Sequence, residues 1–216
     1  MNTRAIAITI AFAALTIVLN PAFSGIAMPA PFLPYVSYYI WEIPIIAALF
    51  LIGLKPVVFI TLLNAAVMLA VFPSHPFIHP IGSIISGSST LLGAYLGYKL
   101  TTRGASQEKK PPESKIVVNS TAFGILSRVA VMTVVNYVLL HFASSSFLGI
   151  ELTEPVIIAI LPLVVLFNVT IVLYTIPIGY FIARTISKNL KVGNNIYNSL
   201  TPSFNPHFRI YIKRGS

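Results

Sequence analysis

The run PVIIAILPLVVLFNVTIVLYTIPIGYFIARTI, from Pro155 to Ile186, holds no charged side chain before Arg184. A helix crossing the hydrocarbon core of a bilayer needs only about 20 mostly apolar residues. This run is longer than that, so the helix it predicts should tilt or bend, with Pro162 and Pro177 as the places to bend. Five more apolar runs precede it, each ended by Pro, Gly or polar residues. They are about Ala5–Leu19, stopped by Asn20-Pro21; about Val36–Leu54; about Pro56–Phe72, ended by Pro73; about Ile81–Leu100; and about Val117–His141. Only Gly53-Leu54-Lys55 separates the second from the third, which predicts a tight helical hairpin.

Composition agrees with this reading. The chain is 56% hydrophobic and 9% charged, with mean hydropathy +0.86, against about 25% charged for an ordinary soluble domain. It has no Asp, and a water-facing surface cannot be built from so few ions. The formal net charge of +9 therefore reads as loop topology, not as a nucleic-acid-binding surface. The absence of cysteine excludes disulfides, thiolate metal sites, iron–sulfur ligation and a Cys nucleophile.

Charge placement gives an independent test of topology. With a cytoplasmic N-terminus, the outer loops are about 20–35, 73–80 and 142–154, and none contains Lys or Arg. Inside fall Arg4, Lys55, Lys99, Arg103, Lys109, Lys110, Lys115, Arg184, Lys188, Lys191, Arg209, Lys213 and Arg214, leaving only Arg128 in mid-membrane. The positive-inside rule is thus obeyed along the whole chain. The expected fold class is an all-α integral membrane protein: a bundle of six transmembrane helices with N- and C-termini cytoplasmic, in the plasma membrane of a prokaryote. Residues 1–187 form the membrane domain, interrupted by a cytoplasmic loop at about 101–115, and residues 188–216 form a basic cytoplasmic tail suited to anionic lipid. A competing reading takes the first run as a signal peptide cleaved near Ala27–Ala30, which would leave five crossings.

Ionisable groups inside a membrane are costly and few. Here they are Glu42, placed about two turns into the second run, and Arg128, near the middle of the fifth; Asn64, Asn136 and Asn168 add amides at membrane depth. His75, His79 and His141 lie in or beside outer loops. Each has a plain structural alternative: Glu42 and Arg128 could pair, an Asn could join two helices, and Tyr38, Tyr39 and Trp41 could form an interfacial aromatic belt. Catalysis finds little support. No His-Glu-x-x-His pair, paired aspartates or phosphate-binding Gly-rich loop is present, so no ATP hydrolysis, cofactor or metal is expected of this chain. Ser83, Ser86, Ser88 and Ser89 open the fourth run in a packing or cavity pattern, without a His–acid pair. Small residues recur at helical spacing as Ala7, Ala11 and Ala14 in the first run and Gly93 and Gly97 in the fourth, where another helix can approach closely.

Together these features resemble the substrate-binding S component of an energy-coupling factor (ECF) vitamin transporter, on the riboflavin-type branch. Four places carry the likeness: Ala7-x-x-x-Ala11; Trp41-Glu42-Ile43-Pro44 running on to Gly53; Arg128 to Met132 and Asn136-Tyr137; and Leu161-Pro162 followed by Phe167-Asn168. Two departures stand out. The turn reads Gly53-Leu54-Lys55-Pro56, and Ile171 occupies the position where riboflavin-type members commonly carry Lys.

The resemblance implies a passive, high-affinity binder of a vitamin such as riboflavin or a related small organic solute. It works with a transmembrane coupling subunit and two ATP-binding-cassette ATPases, whose hydrolysis topples it across the lipid bilayer. Ala7, Ala11 and Ala14 would dock the coupling subunit. The solute would sit under loop 20–35 as a lid, hydrogen-bonded by Asn136 and Asn168, stacked on Tyr38 and Trp41, with Asn64 nearby and Glu42 either accepting from it or balancing Arg128. A stand-alone proton-coupled carrier using Glu42 and a membrane scaffold without solute are the competing functions.

Overall fold

The computed structural model describes residues 3–71, 81–103, 111–148 and 151–189; His75, His79, most of the loop expected at about 101–115 and the basic tail lie outside them. The elements run α1 (Thr3–Val18), α2 (Pro21–Ser24), β1 (Met28–Ala30), β2 (Leu33–Tyr38), α3 (Glu42–Ile52), α4 (Leu54–Val71), α5 (Gly82–Thr102), α6 (Glu113–Leu148) and α7 (Glu154–Asn189). Three of them, α4, α6 and α7, are long and apolar enough to cross a membrane. Helix α7 continues through both Pro162 and Pro177.

The second apolar run departs from the expected helix. Its first residues form strand β2, which pairs antiparallel with β1 through Met28↔Tyr38 and Pro29↔Ser37, with a register shift beside Ala30. Aromatic and β-branched residues (Tyr35, Val36, Tyr38) favour the strand, and a two-stranded ribbon, both of whose strands are edges, tolerates proline better than a central strand would. Hydropathy alone does not separate an apolar strand from an apolar helix. As a result α3 is only 11 residues, about 16 Å, and Glu42 is its first residue instead of lying two turns in. Pro44 falls in the first turn, where its lack of an N–H costs nothing.

Helix α3 ends at Gly53, which takes φ +87° and donates its N–H to Leu49 O at 3.1 Å. This left-handed position suits glycine and lets α4 begin at the next residue. Buried along nearly its whole length, α3 is the centre of the bundle, packed against α7 and α1. Phe12 and Ala13 of α1 belong to this same core. Ala7, Ala11 and Ala14 face the other way and are exposed, beside Ile10.

Helices α5, α6 and α7 pack side by side. Gly93 and Gly97 form the α5–α6 seam: a Cβ on Gly93 would stand 2.3 Å from Phe123 O, and one on Gly97 2.4 Å from Asn119 O. No side chain fits at such distances, so this glycine pair joins α5 to α6 within the chain. We expect Gly93→Ala and Gly97→Ala each to cost about 1–3 kcal/mol, the range of core overpacking, seen as a lowered midpoint of thermal unfolding in detergent. Gly87→Ala, whose new methyl would meet only Trp41 at 3.8 Å, should behave like the parent.

Candidate functional site

Arg128 projects from the middle of α6 into the helix bundle, where it is 1% exposed. In that setting its guanidinium must be paired and hydrogen-bonded. Its Nη1 donates to Glu42 Oε2 at 2.6 Å and to Thr90 Oγ1 at 2.8 Å, while Nε donates to Asn168 Oδ1 at 3.0 Å. One side chain thus ties α6 to α3, α5 and α7. Nη2 makes only a long contact, 3.4 Å to the Tyr39 hydroxyl. Glu42 is 2% exposed, and its other oxygen, Oε1, is buried without a hydrogen-bond partner among the described residues.

Beside this cluster lies a cavity of about 430 Å³, a size that suits a small organic molecule. It is roofed by the β1–β2 hairpin, which supplies Leu33, Tyr35 and Val36, with Tyr39 just beyond. The α5 wall is small and hydroxylic: Gly82, Ser83 and Ser86. The α6 wall carries Arg128, Met132 and Asn136, and the α7 wall Val164, Phe167 and Asn168. Trp41, Asn20 and Met68 add to the lining where α3, α1 and α4 approach.

The hairpin is seated firmly on α7. Ala30 and Leu33 are buried in one apolar cluster with Val164, Phe167 and Ile171. The Tyr38 ring lies 5.0 Å from that of Phe167, and its hydroxyl shares a 2.9 Å hydrogen bond with Thr170. The Tyr174 hydroxyl donates to the Tyr39 backbone carbonyl at 2.7 Å. Loop 20–35 is therefore a short helix and a hairpin extending to Tyr38, not irregular chain.

Of the residues singled out from sequence, Trp41, Arg128, Asn136 and Asn168 come together on the cavity wall. Three others do not reach it. Glu42 lies behind Arg128. Tyr38 packs on α7 through its bonds to Phe167 and Thr170. Asn64 accepts a 3.2 Å hydrogen bond from Asn20 Nδ2, joining α4 to the end of α1. Asn20 itself is on the wall and was not evident from sequence, because its asparagine-proline context reads as a helix stop. Thr90 was equally hidden; only the fold brings it to Arg128. His141, at the far end of α6, is exposed and stacks on Tyr137 with ring centroids 5.9 Å apart, away from the cavity wall. Among the described residues no group of His or acidic side chains could hold a metal ion.

Helix direction places the cavity at one end of the bundle, near the end of α4, the start of α5, the second half of α6 and the first half of α7. The opposite helix ends carry Lys55, Lys99, Arg103, Lys115, Arg184 and Lys188. There Arg184 pairs with Glu113 at 2.8 Å, half exposed.

Removing one member of a buried ion pair strands the other charge and typically costs about 3–5 kcal/mol. Arg128→Met should therefore lower thermal stability sharply. The double variant Glu42→Leu/Arg128→Met, with no charge left to bury, should recover a substantial part of the loss. Unfolding midpoints of the two variants in detergent check this.

No protein-family model and no curated protein matches the sequence. Among solved structures, the fold is similar to that in "Structure and mechanism of the S component of a bacterial ECF transporter", with TM-score 0.61 and 21% sequence identity over 88% of this chain and 99% of that one. The likeness extends over nearly the whole of that chain, so the overall fold is similar to one already known.

Proposed function

We propose that this chain is the solute-binding S component of an ECF transporter, a six-crossing protein of a prokaryotic plasma membrane with both termini cytoplasmic. The observation that carries the reading is the roofed cavity: an apolar chamber on which Arg128, Asn136 and Asn168 converge from two helices, in a fold similar to that of an S component. Such a chamber, mostly apolar with a few polar groups that fix orientation, is what a small-molecule site requires.

Orientation follows from charge. The basic residues gather at the end away from the cavity, and the positive-inside rule places that end in the cytoplasm. The cavity then lies toward the outside, under the hairpin, where a scarce solute is captured. The surface of the helix bundle carries many exposed apolar side chains, with Glu42 and Arg128 buried inside it, so reorientation in the bilayer would expose neither of these two mid-bundle ions to lipid. The proton-coupled alternative is disfavoured because Glu42 is held by Arg128 off the cavity wall.

The solute is a vitamin or a related small organic molecule. Riboflavin remains one choice, but the position where riboflavin-type members commonly carry Lys is Ile171, fully buried in the apolar cluster under the hairpin. Transport requires a transmembrane coupling subunit and two ATP-binding-cassette ATPases, with the exposed Ala7, Ala11 and Ala14 face of α1 as the docking surface for the former.

Denaturing gently purified protein should release a stoichiometric small molecule identifiable by mass spectrometry, and Asn136→Ala should weaken its rebinding by about tenfold, the cost of one buried hydrogen bond to a ligand. Unchanged affinity on Asn136→Ala would remove that residue from the site. Ala7→Trp should abolish co-purification with the coupling subunit while leaving solute affinity as in the parent. Persistent co-purification would move the docking face elsewhere.

A further inference from the structure

The charge arrangement around the cavity narrows the solute further. We infer that the solute carries no net charge at neutral pH and presents a polar edge able both to accept and to donate hydrogen bonds. This inference rests on the solute-binding reading above and adds the class of molecule bound.

Among the described lining residues, Arg128 is the only one with a formal charge. That charge is already matched by Glu42 at 2.6 Å, one layer behind the wall. The wall and its immediate backing are therefore electrically neutral before any guest enters.

An anionic guest would place a second carboxylate or phosphate against one guanidinium. Glu42 could not be released to water, since it is 2% exposed, and it already matches the Arg128 charge at 2.6 Å, so a second anion would find hydrogen-bond donors there but no unmatched cation. Two anions sharing one buried cation leave one uncompensated charge, which low-dielectric surroundings penalise heavily.

A cationic guest fares no better. No carboxylate lies on the wall among the described residues. Tyr39 and Trp41, with ring centroids 5.7 Å apart, could attract a cation by their faces. But the Tyr39 hydroxyl is 3.4 Å from Arg128 Nη2, so a cation seated there would lie beside the guanidinium.

Uncharged polar groups fit what remains. Asn136 donates one N–H to Met132 O at 2.7 Å, which leaves its Oδ1 and second N–H for a guest. Asn168 accepts from Arg128 and donates to Val164 O at 2.8 Å, with one N–H left. Nη2 of Arg128, engaged only at 3.4 Å, can donate to a guest carbonyl or hydroxyl without giving up Glu42. The wall thus offers both donors and acceptors and no net charge.

The test uses sets of compounds that share a molecular scaffold but differ in charge, titrated into the purified full-length protein by calorimetry and thermal shift. The sets are nicotinamide, nicotinate and 1-methylnicotinamide; biotinamide and biotin; pantothenol and pantothenate; and riboflavin and its 5′-phosphate. Any molecule released from the protein on denaturation is identified and added with a charged or neutralised analogue. The expected result is that the uncharged member of the binding set is tighter by about tenfold or more, the penalty of one uncompensated charge. A charged member binding as tightly as its uncharged counterpart overturns the charge assignment while leaving solute binding intact. Failure of every set, with no molecule released, overturns the solute-binding reading and this inference with it. Glu42→Gln supplies a second readout: it frees the Arg128 charge and should shift preference toward the anionic member of the binding set. An unchanged preference would contradict the inferred role of Glu42.

Discussion

The structure depends on one buried ion pair. Arg128 enters the bundle from the middle of α6, at a depth where an unpaired guanidinium is too costly to persist, and Glu42 at the start of α3 meets it at 2.6 Å. Thr90 and Asn168 take further donors, so the four helices α3, α5, α6 and α7 share a single polar junction. Satisfying that junction constrains the rotation of each helix about its axis. The cavity lies beside this junction, with Arg128 and Asn168 on its wall.

The short α3 meets this junction at its first residue. Glu42 pairs with Arg128 from the start of α3, and the apolar residues before it lie outside the helix. They form the β1–β2 hairpin, which closes the cavity and buries its own apolar face on α7 through Leu33, Phe167 and Ile171. The backbone groups of the ribbon are partly paired with each other and with Tyr174, which is what a segment covering a cavity at this depth needs. Roof, ion pair and chamber are thus one unit.

Small residues play two separate roles. Gly93 and Gly97 are consumed inside the chain, where the α6 backbone passes too close for any Cβ. Ala7, Ala11 and Ala14 remain outside, on a helix whose other face, through Phe12 and Ala13, is locked into the core. The same spacing in sequence therefore marks an internal seam in one helix and an unoccupied face in another. Only the packing tells them apart.

The linear sequence was enough to locate the apolar runs, the one-sided distribution of Lys and Arg, and Glu42 and Arg128 as the two ions at membrane depth. These are local properties: hydropathy, length and charge are carried by each segment regardless of its neighbours. It also pointed to Trp41, Asn136 and Asn168, because polar or amphipathic side chains in apolar runs are rare enough to stand out. Tertiary structure alone decided the rest. That residues 33–38 form a strand depends on β1 being there to pair with them. That Asn64 bonds Asn20, that Tyr38 packs on α7, and that Glu42 stands behind the wall while Asn20 stands on it, are all set by helix rotation and contact. Those quantities arise between segments distant in the chain, and no single segment encodes them.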